Sequence, residues 1–235
     1  MQKTIENWIH LGVDILDVGG QSTRPGATYI DAETEWSRVE PVLNWIKQTF
    51  PSQLISIDTF HPSVASRALK MGVHIINDVS AGDWEEGMFS VLNQFQAPYI
   101  LMHAQGKPQT MQLAPQYNDI ISELIAFFKQ KISIVKQDNP KAQIWIDPGF
   151  GFGKNFEHNQ SILQNLNELS ILNCPILAGL SRKKMIQTTL GCSAEEAQMG
   201  STLAHLLATV KGASIIRTHD VAECIELKKI FNTFN

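Results

Sequence analysis

Seven apolar runs along this 235-residue chain end on residues able to do chemistry. The run ends carry Ser22, Thr23 and Arg24; Asp58; Asn77; Met102 and His103; Asp147; Ser181, Arg182 and Lys183; and Arg217, Thr218 and His219. Asp58, Asn77 and Asp147 can accept from and donate to a flat heterocycle with adjacent N–H and amino groups, and Lys183 can donate to a ring carbonyl or nitrogen. Arg24, Arg217 and His219 suit a phosphate or pyrophosphate, the arginines through bidentate contacts. Each residue also has a plainer reading. Asp58 before "TFHP" is as often as not the N-cap of the next helix, and His103 by itself reads as a structural histidine. Lys154 reads as a solvated loop lysine, and Asp14 and Asp17, lying before the end of their run, read as structural. These plain readings weaken together, because all seven run ends are polar.

The stretch "DPGFGFGK", residues 147–154, follows the apolar "IWI". It is not a P-loop: three residues separate Gly149 from Gly153, where that motif needs four, and Asn155 follows Lys154 where Ser or Thr is required. Nor is G-x-G-x-G the dinucleotide fingerprint.

These residues have to be positioned by the runs that precede them. "DILDVGG" (14–20), "LISIDTF" (54–60), "HIINDVS" (74–80), "YILMHAQ" (99–105), "IWIDPGF" (144–150), "PILAGLSRK" (175–183) and "SIIRTHD" (214–220) lack clean polar alternation, as strands covered on both faces do. Amphipathic stretches lie between them. The clearest is 31–50, with Asp31 as N-cap; others span 62–72, 118–137 and 194–212, with Gly72 and Gly212 at the expected helix ends. A further helix, at about 2–11, precedes the first strand. This α/β alternation has no linker or composition break, so residues 1–235 read as a single domain. A doubly wound sheet accepts seven strands, whereas a TIM (β/α)8-type barrel is one short. The barrel is favoured because every strand, not one switch point, ends in ligand-type residues.

Bulk properties narrow the classes. A net charge of −4 offers no basic field for nucleic acid or an anionic membrane. The three cysteines, Cys174, Cys192 and Cys224, form no metal or redox spacing, and no run approaches membrane-span length. The expectation is a soluble cytoplasmic protein.

In order, "DILDVGGQSTRPGA", "ISIDTF", "IINDVSAG", "LMHAQGKPQTMQ", "IDPGFGFGK", "LAGLSRKKMI" and "IIRTHDV" resemble the successive signatures of the dihydropteroate synthase family, from about Leu11 to Glu223. The resemblance implies a TIM barrel that joins 6-hydroxymethyl-7,8-dihydropterin pyrophosphate to p-aminobenzoate in folate synthesis, with sulfonamides as competitors. It implies that Asp58, Asn77, Asp147 and Lys183 hold the pterin, with Met102 and Phe152 lining its slot. Arg217 and His219 would take the pyrophosphate, and Thr23, Arg24 and Pro25 would close over p-aminobenzoate. Asp58, Lys183, Arg217 and His219 are the expected catalytic group. On this resemblance "DPGFGFGK" is a pterin loop. Mg²⁺ as cofactor and a homodimer are implied as well.

Three departures stand out. Gln21 replaces a usual Glu, and Lys184 stands where many members have Ser. The family's first strand, with its Asn-Val-Thr-Pro-Asp-Ser-Phe signature and Mg²⁺-ligating Asn, has no counterpart in this chain. The chain is therefore expected to supply seven of eight strands, no metal ligand, reduced stability and weak turnover. Two other readings compete: a non-catalytic pterin-binding paralogue, and a methyltetrahydrofolate-type methyltransferase barrel.

Overall fold

The computed structural model describes residues 1–23, 26–106, 111 and 115–234. Seven parallel strands form one sheet in chain order: β1 (Ile15–Val18), β2 (Leu54–Asp58), β3 (Ile75–Asp78), β4 (Tyr99–Met102), β5 (Ile144–Asp147), β6 (Ile176–Ala178) and β7 (Ala213–Ile216). The crossovers are helical: α1 (Gln2–Leu11) before β1, then α2 (Ala32–Thr49), α3 (Pro62–Lys70), α4 (Met88–Phe95), α5 (Ile120–Asp138), α6 (Phe156–Gln164), α7 (Lys184–Leu190), α8 (Gln198–Val210) and α9 (Val221–Phe234). Asp31 caps α2 as expected, accepting from the Thr34 N–H at 2.9 Å. Gly72 and Gly212 take φ of +86° and +100° just beyond α3 and α8, a conformation that glycine adopts without steric cost.

Sequential parallel order could still belong to an open sheet, in which the first and last strands lie far apart. Here they meet. Arg217, just past β7, donates from Nε to Asp17 of β1 at 2.7 Å and from Nη2 to Asp58 of β2 at 2.9 Å. Lys228 of α9 bonds both Asp14 oxygens at 2.7 Å, and α1 packs on α9. The sheet has curled round on itself with a seam between β7 and β1, so the barrel-type reading holds.

Period-two alternation sorts the strand residues into two faces. Leu16, Ile55, Ile57, Ile76, Leu101, Ile144, Ile146 and Ile176 pack outward against the helices in the main core. Ile15, Ile75, Ile100, Trp145, Leu177 and Ile215 meet each other inside, as an apolar floor. Two residues further along each strand the same inward face carries Asp17, Asn77, Met102, Asp147, Gly179 and Arg217. Asp58 of β2 belongs with them, since it pairs in register with Asn77. The fold thus turns alternation along each strand into a polar layer above an apolar one.

Candidate active site

Arg217 and Asp17 organise the centre of that layer. Asp17 accepts from Ser56 Oγ at 2.6 Å, from Arg217 Nε at 2.7 Å and from Asn77 Nδ2 at 3.1 Å. The sequence reads it as structural, but it stands in the polar layer and bonds both Arg217 and Asn77. Asp58 faces Arg217 rather than capping α3, whose N-cap is His61 with Pro62 in its first turn. Thr59 accepts from the His61 N–H and donates to buried Glu35. Burial and the neighbouring Asp17 charge push Asp58 up to about 7, against the pull of Arg217.

Asp147 is 8% exposed and accepts the Gly149 N–H at 2.7 Å. Burial raises its pKa, opposed by that N–H and by the Lys183, Arg217 and Lys154 charges. Lys183 Nζ donates to the Phe150 carbonyl at 2.7 Å and lies 4.4 Å from the centre of the Phe152 ring. Burial lowers its pKa to about 8, with Asp147 resisting. Its loop is fixed from below, since the Leu180 N–H donates to His205 Nε2 and the Arg182 N–H to Ser201 Oγ. Met102 and Phe152 join Phe60, Val79, Tyr29 and Trp84 in an apolar, largely aromatic cluster. Together these residues make a slot with an acid at one edge, an ammonium over an aromatic face and apolar walls, which suits a flat, amide-bearing heterocycle.

The arginine at the seam keeps 46% of its side chain exposed, leaving room for an anion. His219 follows it by two residues, its N–H and Nδ1 each 3.3 Å from Ser181 Oγ. Thr23 lies on the loop after β1, whereas Arg24 and Pro25 lie outside the described residues. Gln21 closes that loop: Oε1 accepts the Ile30 N–H at 2.8 Å, and Nε2 donates to the Ser22 and Thr28 carbonyls at 2.6 and 3.1 Å. A glutamate in its place has no proton for those two carbonyls. Lys184 is exposed at the start of α7.

Lys154 is not a solvated loop residue. It is 3% exposed and bonds His103 and the Phe152 carbonyl, while His103, 8% exposed, is the structural histidine expected. The described residues do not fit a Mg²⁺ site. No group of three His, Cys, Asp or Glu gathers to hold an ion among the described residues, and the two carboxylates nearest the seam are already bonded to Arg217.

A barrel with such a slot defines a pterin-binding enzyme. The family model for "Pterin binding enzyme" matches residues 1–219, and the chain belongs to that family. Its relatives narrow the group to dihydropteroate synthases, as the ordered motifs indicated. The dihydropteroate synthase of Escherichia coli strain K12 is 43% identical over 223 residues, 94% of this chain and 78% of that protein. The Haemophilus influenzae dihydropteroate synthase is 37% identical over 229 residues, 97% of this chain and 82% of that one. Among solved structures, Yersinia pestis dihydropteroate synthase with a sulfonamide drug complex superposes with a TM-score of 0.95 at 34% identity, covering 99% of this chain and 84% of that one. The Xanthomonas albilineans enzyme with 4-aminobenzoic acid gives 0.90 at 37% identity, covering 98% and 82%.

Proposed function

We propose that residues 1–235 form one pterin-binding barrel domain that transfers the 7,8-dihydropterin-6-ylmethyl group of 6-hydroxymethyl-7,8-dihydropterin pyrophosphate to the amine of p-aminobenzoate. The observation that carries this reading is the inward layer itself, an acid–ammonium slot that opens directly onto the arginine at the seam. Asp147, Asn77 and Lys183 hold the ring edge, and Met102 and Phe152 hold its faces. The methylene C–O bond breaks with its electron pair leaving on pyrophosphate, next to Arg217 and His219. Positive charge then develops on the pterin, facing Asp58, and that anion stabilises it. The aromatic amine forms the new C–N bond and releases its proton to solvent. Thr23 closes over p-aminobenzoate, with Arg24 and Pro25 assigned to the same substrate by the sequence motif alone, and a sulfonamide of the same shape competes there.

Placement and assembly follow as proposals. No helix is long and apolar enough to cross a membrane among the described residues, and all three thiols are unpaired, which supports the cytoplasm. Met199, Leu203, Leu207 and Val210 run along one face of α8 at 54–68% exposure, and Ile230 and Phe234 of α9, which packs on α8, are exposed as well. An exposed apolar helix face of this kind supports pairing with a second copy of the chain.

The test is formation of 7,8-dihydropteroate from the two substrates, followed alongside pyrophosphate release. Binding of the pterin substrate without product would favour the non-catalytic paralogue. Methyl transfer from methyltetrahydrofolate would favour the methyltransferase reading. In the Asp147→Ala variant pterin binding should be lost, because stranding the buried ring donors costs about 1–3 kcal/mol each. Unchanged calorimetric affinity in a folded variant removes Asp147 from the ring edge.

A further inference from the structure

The glycine loop after β5 lies directly on the end of β4. A Cβ on Gly149 would come 2.0 Å from the His103 carbonyl oxygen, and one on Gly153 would come 2.3 Å from that of Gln105. Both glycines have left-handed φ, +67° and +62°, so the loop approaches backbone to backbone with no side chain between. Lys154 closes this contact from within. Its Nζ reaches His103 Nδ1 at 2.9 Å, the Phe152 carbonyl at 3.0 Å and the His103 carbonyl at 3.2 Å. Three acceptors match the three protons of an ammonium. Burial draws the Lys154 pKa down to about 7, with Asp147 opposing; a charged Lys154 donates to all three, whereas a neutral one would accept from a His103 Nδ1–H. With Lys154 charged, His103 is neutral with its proton on Nε2, in keeping with a pKa drawn down to about 3 by burial and by the Lys154 charge.

We propose that Lys154 is a positioning residue for the pterin. It ties the glycine loop to His103 and thereby sets Asp147, Phe152 and the Phe150 carbonyl that receives Lys183. The inference rests on reading the slot as a pterin site.

The experiment compares the native chain with Lys154→Met, using 6-hydroxymethylpterin as the calorimetric probe and both substrates for kinetics. The pterin Kd and KM should rise roughly tenfold, which is ~1.4 kcal/mol, while the KM for p-aminobenzoate stays within about twofold. Asp147 is faced by Lys154, by His103 at the end of β4, by Lys183 after β6 and by Arg217 after β7. With Lys154 removed, the acid limb of pterin binding should move to higher pH, which a purely structural weakening would not produce. Nitrogen-15 spectra of His103 in the native chain test the tie without any variant, and the proton is expected on Nε2. A proton on Nδ1, or a folded Lys154→Met that binds pterin as the native chain does, overturns the proposal. If the native chain fails to bind the probe, the pterin reading falls and the assigned role with it, while the nitrogen spectra still report on the tie.

Discussion

Asp58→Asn should cost the chain its turnover and make it more stable above neutrality. In the fold Asp58 is drawn from an ordinary carboxylate value of 3.8 up to about 7 by burial and by Asp17, with Arg217 only partly compensating. The folded state therefore holds the proton more tightly than the unfolded chain. This contribution to stability is fully present below the unfolded value, is lost steadily as pH rises, and is gone above about 7. Roughly three pH units at ~1.36 kcal/mol each set a ceiling of about 4 kcal/mol for the penalty on the ionised form. Asparagine escapes that penalty but binds Arg217 more weakly, and Arg217 keeps Asp17, so the net gain at pH 8 should be about 1–2 kcal/mol. In a chain of this size that is a rise of roughly 2–8 °C in Tm. Thermal melts at pH 5, 6, 7 and 8 should show the gain growing between pH 5 and 7 and levelling off above. Pyrophosphate release, measured in parallel, should fall by about two orders of magnitude or more if the anion stabilises developing charge. A gain independent of pH, or a variant less stable at pH 8, would refute the electrostatic account of Asp58.

Arg217→Ala and His219→Ala should weaken the pyrophosphate-bearing pterin by roughly 1.5–3 kcal/mol while barely affecting the bare hydroxymethylpterin. Equal losses for both ligands in calorimetry would move these side chains onto the ring. A Leu203→Glu, Leu207→Glu pair on α8 should convert a dimer into monomers in sedimentation experiments, with the pterin slot intact. A native chain that sediments as a monomer removes the pairing proposal.

Much of the candidate site was legible because the barrel turns a simple rule, alternate residues on one face, into a shared layer. Asp58, Asn77, Asp147 and Arg217 could be found as polar endings to apolar runs, and Lys183 and His219 lie just beyond two of them. Asp17 was missed because "DILDVGG" was read as a strand reaching Gly20, which put Asp17 before its end. The strand stops at Val18, and the inward pair Ile15 and Asp17 then repeats Trp145 and Asp147. That parity was available in the sequence. Lys154 was not: its partner His103 is 51 residues earlier, and only the contact between the two loops buries the charge. The N-cap reading of Asp58 failed for a related reason, since the pull of Arg217 comes from the far end of the chain.

On the proposed reaction, the charges of the layer explain why Asp58 sits in such a costly setting. Asp17, Asp58 and Asp147 face Arg217, Lys183 and Lys154, three carboxylates against three cations, so the unliganded layer is close to neutral and can admit a neutral ring. An incoming pyrophosphate draws on Arg217, the cation that steadies Asp58. The bound ground state thus holds the Asp58 anion less comfortably than the free site does. When the C–O bond stretches, positive charge on the pterin supplies the missing partner, and the same anion becomes well satisfied. An interaction that is poor in the ground state and good in the transition state lowers the barrier, whereas one equally good in both only tightens binding. A fully solvated aspartate would be neutral to this change. The burial and the Asp17 repulsion that hold Asp58 near 7 are therefore part of the proposed catalysis, and the stability gained by Asp58→Asn measures what the fold gives up for it.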